Sequence, residues 1–204
     1  MAKSRTSSVF INCPFDDEFA PGFQALIFAV IRCGFQVRCA REKADGAETR
    51  IDKLYNIIED CRFGIHDLSR TELDAVNHLP RFNMPLELGL FLGARRYGDN
   101  AQKAKCCAIM DVESFRYQRF ISDLNGMDIH AHHGDPREMV EHVRTFLLTN
   151  SRRKTIPDRV DLLASYDRFI VALPGLAAPF NADPLRMIYP DFERLVISWT
   201  RAGL

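Results

Sequence analysis

Apolar and polar positions along this chain fall into runs whose period keeps changing. "SSVFINC" (7–13) is a short apolar run with the pattern of a buried strand. The polar loop "PFDDEFAPG" follows, with Pro21 suited to the first turn of a helix. "FQALIFAVIRCG" is apolar on nearly every face and ends at Gly34, a helix stop. "FQVRCA" (35–40) predicts a second strand, and "REKADGAETR" a charged loop around Gly46. "RIDKLYNIIEDC" has helical period, with Ile51, Leu54, Ile57 and Ile58 on one face. "RFGIHDLS" (62–69) predicts a third strand running into a loop, and "RTELDAVNHLPRF" a polar connection. "NMPLELGLFLGARRYG" predicts a helix that Gly98 closes, and "KAKCCAIMD" (103–111) a fourth strand. "FRYQRFISDLNGMD" reads as loop with short helix, "IHAHHGD" as a last short strand, and "PREMVEHVRTFLLTN" as an amphipathic helix started by Pro136.

Strand and helix thus alternate about four times before residue 150, the pattern of a parallel sheet covered by helices on both faces. The expected fold is α/β: a three-layer sandwich around a mostly parallel, flavodoxin-like sheet, with a C-terminal helical appendage. Residues 1–150 form the α/β domain in this reading. Residues 151–204 form the extension, in which "SRRKTIPDR" is a linker and "VDLLASYDRFIVALPGL" and "PDFERLVISWTRAGL" are helix-like. The extension is expected to serve dimerisation or to act as a lid, or else to pack on its own domain. Its apolar surface comes from Tyr166, Phe169, Phe180, Tyr189 and Trp199.

Composition narrows the function classes. Lys+Arg and Asp+Glu both count 27, which gives no electrostatic footprint for nucleic acid. Arg32 interrupts the best apolar run, so no membrane span is expected. The start "MAKSRTSSVFIN" lacks the apolar core of a signal peptide, and a cytoplasmic location is expected. Cysteines 13, 33, 39, 61, 106 and 107 form no CxxC pair and read as reduced core thiols. G-x-G-x-x-G, G-x-x-x-x-G-K-[ST] and G-x-S-x-G are all absent, which disfavours dinucleotide oxidoreductases, P-loop NTPases and serine hydrolases.

In a parallel sheet ligands bind beyond the carboxyl ends of the strands, so the loops starting at Asn12, Ala40, Asp67 and Asp111 are expected to rim one site. Glu87 stands in the apolar run "FNMPLELGLFLG", where an ionised carboxylate is costly unless paired, solvated in a cleft or used. With Met84 as cap and Pro85 as first helical residue, Glu87 takes the third helical position, where it either folds back on free backbone N–H groups or serves a pocket. Asp67 ends "FGIHD" and either caps a turn with Ser69 or faces a cleft with Glu87. Two carboxylates around a sugar are the usual equipment for breaking a glycosidic bond. Asn12 binds a hydroxyl or closes a turn. Asp16, Asp17 and Glu18 hold ribose hydroxyls or form a solvated loop. Arg41 and Arg50 flank a Gly-containing loop and meet phosphate or surface carboxylates. "HAHH" (130–133) lacks the further ligands that a metal site needs, and no metal is expected. "RYQRF" (116–120) stacks on a base or packs in the core.

"VFINCPFD", then "GIHDLS", then "NMPLELGLFLG" followed by a strand, resembles the nucleoside 2-deoxyribosyltransferase-like group, to which TIR domains are related in layout. The likeness covers about residues 7 to 147. It implies that Glu87 attacks or stabilises the anomeric carbon and that Asp67 helps to hold the sugar or base. It also implies that Asn12 and Asp16 line the pocket; Ser69 and Asn83 join Arg41 and Arg50 in the expected substrate-binding set. Where transferases often carry another acid before the glutamate, Arg81, Phe82 and Asn83 stand here. A cationic nicotinamide leaves without protonation, so a chain lacking that acid suits NAD better than a neutral nucleoside. The expected activity is N-glycosidic cleavage of NAD or a related nucleotide. Alternatives are deoxyribosyl transfer in salvage metabolism and a non-catalytic nucleotide-sensing or assembly module. No cofactor is expected, NAD entering as substrate. The resemblance further implies a homo-oligomer and a role as a bacterial defence effector.

Overall fold

A computed structural model describes residues 7–43, 45–73 and 78–203. Part of the polar connection read at 70–82, residues 74–77, lies outside the described residues, as do Ala44 of the charged loop and the first six residues of the chain. The strands are β1 (Ser8–Asn12), β2 (Gln36–Arg38), β3 (Phe63–Asp67), β4 (Cys106–Asp111) and β5 (Ile129–Ala131). The helices are α1 (Ala20–Arg32), α2 (Arg50–Asp60), α3 (Asn83–Tyr97), α4 (Asn100–Lys103), α5 (Pro136–Asn150), α6 (Arg159–Ala177) and α7 (Tyr189–Arg201). The five strands make one all-parallel sheet in the order β2-β1-β3-β4-β5, the order of flavodoxin-like α/β proteins. Val9 pairs with Phe63, Ile65 with Ala108, and Ile109 with Ile129. β1 and β3 are buried at every position, which is why both read as unbroken rather than alternating runs.

Contacts divide the chain into two compact units. The first holds the described residues up to Pro14 together with Arg38–Gly134. In it α2 packs on β1, and α3 on β1 and β3. One core cluster joins Phe10, Leu54, Ile57, Ile58 and Phe91; another joins Leu68, Met84, Leu88, Ile109 and Tyr117. Gly64 makes room for them: a Cβ there would stand 2.7 Å from His66 Nε2 and 2.9 Å from the Phe91 ring.

The second unit holds Phe15–Val37 and the described residues from Asp135 onward. Its centre is α1, buried at every position from Gly22 to Ile31. A helix apolar all round must be covered all round, and α5, α6 and α7 supply the cover. Phe28 meets Tyr166 and Phe169; Phe169 meets Phe192 and Trp199. Tyr166, Phe169 and Tyr189 are buried, while Phe180 is exposed. α1 ends as its sequence predicts: Gly34 takes φ of +84°, and Phe35 N–H reaches back to Val30 O at 3.0 Å. α5 starts on Pro136, with the Asp135 carboxylate accepting from Arg137 N–H at 2.8 Å.

α3 departs from its expected start. The backbone is helical from Asn83, Phe82 is the cap, and no side chain caps the turn. Leu86 N–H already bonds Phe82 O at 2.9 Å. Glu87 is therefore the fifth helical residue, two residues past the position from which it could cap the orphan N–H groups. Met84 is buried inside the first turn rather than capping it.

Candidate functional site

The carboxyl ends of β1, β3 and β4 gather the polar groups of the first unit. Asn12, the last residue of β1, is 2% exposed. Its Nδ2 donates to Met84 O at 2.9 Å and to His66 Nδ1 at 3.1 Å. One amide thus binds the first turn of α3 to two neighbouring strands. Glu87, one turn further along α3, is 4% exposed on the helix's inward stripe of Met84, Glu87, Leu88 and Phe91. Its Oε1 lies 3.5 Å from Nη2 of Arg50, the first residue of α2, whose side chain is 59% exposed. Burial pushes the Glu87 carboxyl above its ordinary pKa, with Arg50 opposing the rise.

Cys13 follows Asn12 and is 1% exposed. Burial raises its thiol well above the usual value, and Asp67, Cys39 and Glu87 raise it further, against Arg41. The thiol therefore stays protonated and is no nucleophile, but its surroundings show that Asp67, Glu87 and the exposed Arg41 share one electrostatic neighbourhood.

Asp67 ends β3 with no exposed surface. Its Oδ1 accepts from the Ser69 backbone N–H at 3.0 Å and from the Ser69 hydroxyl. Its Oδ2 stands 2.9 Å from His132 Nε2, off the line of the ring N–H. His132 Nδ1 accepts from Gly134 N–H at 3.0 Å, which leaves the ring proton on Nε2. Asp111 ends β4 in the same way. Its Oδ1 accepts from Arg116 Nε at 2.8 Å, Arg116 Nη2 at 2.6 Å and Val112 N–H at 2.7 Å. Burial raises the Asp111 pKa, Arg116 opposes the rise, and nearby Asp67 adds to it. Arg116 also bonds Leu68 O and Glu72, and so ties the end of β4 to the loop after β3.

The structure brings together Asn12, Asp67, Ser69 and Glu87, with Arg50 on Glu87 and Arg41 acting on Cys13. Asn83 is exposed on the first turn of α3. Asp16 belongs to the second unit, where its carboxylate accepts from Phe19 N–H at 3.0 Å ahead of α1. In "RYQRF", Arg116 stacks on the Phe120 ring at 5.1 Å, and Tyr117 is buried. The sequence reading does not place Asp111, Arg116, His132 or Cys13 among the catalytic or substrate-binding residues. Asp111 carried the same signal as Asp67, an acid ending a strand; the partners of Arg116 and His132 depend on which loops meet. Among the described residues no His, Cys, Asp or Glu group is arranged to hold a metal ion. No helix of the described residues is long and apolar enough to cross a membrane.

The fold and this strand-end cluster define an α/β protein with a flavodoxin-like parallel sheet and a carboxylate-rich site. No family model, no curated protein and no solved structure matches the chain.

Proposed function

We propose that this protein cleaves the N-glycosidic bond of NAD or a related nucleotide, with Glu87 beside the anomeric carbon. The observation that carries the reading is the Glu87 carboxylate, 4% exposed at the start of α3, whose Arg50 partner is solvent-exposed and 3.5 Å away. Such a carboxylate is neither locked in an interior ion pair nor spent on capping. The C1′–N bond breaks with its electron pair leaving on nicotinamide, which departs neutral. Positive charge grows on the ribose, and a desolvated carboxylate stabilises it or traps it as an ester. Water then adds at C1′ and loses a proton, giving ADP-ribose. Arg50 and Arg41 are the cations suited to the pyrophosphate.

Asp67 acts as a positioning residue in this scheme, because it has no exposed surface and Ser69 holds its Oδ1, with His132 Nε2 2.9 Å from its Oδ2. That leaves no free acid among the assigned residues to protonate a neutral base, which favours a cationic leaving group. Purified protein is incubated with NAD and, separately, with deoxyinosine and adenine, and products are separated by liquid chromatography. Nicotinamide release by the wild type is expected, falling at least about a hundredfold in Glu87→Gln. Base exchange with NAD untouched would instead make the protein a deoxyribosyltransferase. Ligand binding with no turnover would make it a sensing module.

A further inference from the structure

α3 turns Glu87 inward and presents a different face outward. Leu86, Gly89, Gly93 and Tyr97 follow one another along that outer stripe at helical spacing. Leu86 is 55% exposed and Tyr97 86%. With Tyr55 and Glu59 of α2 and with Asp99 and Gln102, the Gly89, Gly93 and Tyr97 part of the stripe bounds a groove of about 600 Å³.

Nothing among the described residues calls for glycine at 89 or 93. A Cβ added at either position meets no atom within 4 Å, and neither backbone has positive φ. Each glycine disfavours a helix interior roughly two- to fivefold relative to alanine. What glycine offers in return is close approach by another backbone. Gln102 closes one edge of the groove. Its Nε2 donates to Glu59 O at 3.1 Å, while its buried Oε1 has no hydrogen-bond partner among the described residues.

Charge selects the occupant. The acidic residues of the groove are Glu59 and Asp99, and no basic residue among the described residues lines it. The same helix ends in Arg95, Arg96 and Tyr97, all exposed. One chain therefore carries both a glycine-floored acidic groove and a basic, aromatic helix end, as an isologous contact requires. We propose that two copies of this chain associate through the outer face of α3, crossing at Gly89 and Gly93, with Arg96 of each copy beside Glu59 of the other. The proposal stands apart from the glycosidic reading, since none of these residues belongs to the Glu87 cluster.

Sedimentation velocity over a range of protein concentrations tests it on the full chain. The wild type is expected to show a concentration-dependent dimer. Gly93→Leu places bulk at the crossing and is expected to weaken the dimer about tenfold or more. Gly93→Ala controls for folding: its melting temperature, read on the monomer, stays level or rises. Arg96→Glu and Glu59→Arg are each expected to weaken the dimer about tenfold, and their combination to restore it. A wild type that remains monomeric at high micromolar concentration overturns the proposal. So does a dimer indifferent to Gly93→Leu, or a charge-swapped pair that fails to recover.

Discussion

Burial gives two side chains of the first unit opposite responses to acid. His66 has no exposed surface and lies against the rings of Phe10 and Phe91. Burial, helped by the charge of Lys105, holds its pKa down to about 3, against an ordinary 6.5. Between those values the unfolded chain binds a proton that the folded chain refuses. The associated stability is complete above pH 6.5 and drains as the pH falls toward 3, with about 1.4 kcal/mol gone by roughly pH 5.5. His66→Phe removes that proton uptake, so its urea midpoint should decline less than the wild type's between neutral pH and pH about 5. Glu87 works the other way: its folded pKa is raised, so the folded chain keeps its proton longer than the unfolded one. Its ionised form costs stability above the raised value, and that cost vanishes below the ordinary 4.5. Glu87→Gln is therefore expected to be more stable than the wild type at neutral pH, with the gain disappearing in acid, as denaturant titrations at both pH values would show. The oddity of Glu87 was legible in the sequence because a charge broke an apolar helical period. His66 was not, since a strand histidine looks the same whether it faces solvent or two phenylalanine rings.

Single side chains also bind whole elements together. Asn12 fastens α3 to β1, and two hydrogen bonds in a buried place are at stake. Asn12→Ala should cost about 2–3 kcal/mol, read from chemical denaturation, and should lower turnover through Glu87 more than it raises KM. Arg116 fastens the loop after β3 to β4 over a carboxylate with no exposed surface. Arg116→Met strands Asp111 and should cost about 3–5 kcal/mol, most of it recovered by adding Asp111→Asn. At this scale the sequence was informative wherever its period was clean. α5 runs from Pro136 to Asn150 as read, because Asp135 and Pro136 mark its start chemically. The two-residue difference at the start of α3 comes from Phe82, which caps without any side-chain signal. α4 went unread because a four-residue helix is too short to show a period.

At the scale of the molecule, chain order and packing part company. A change of texture near residue 150 is visible along the sequence, yet α6 and α7 pack on α1, which is written more than a hundred residues earlier. The sign of this was in α1 itself, whose apolar residues leave no face for water; what could not be read was which helices would answer it. Trp199, the only tryptophan, packs on Phe169 at 5.5 Å and reports directly on that contact. A chain ended at Asn150 should therefore aggregate, while the full chain should show one cooperative fluorescence change on thermal unfolding. Synthesis adds a further constraint. At roughly 5–20 residues per second, α1 leaves the ribosome on the order of ten seconds or more before α7 does. Throughout that interval the most apolar of the described helices is without its full cover, so the nascent chain should be a client of holding chaperones until α7 emerges.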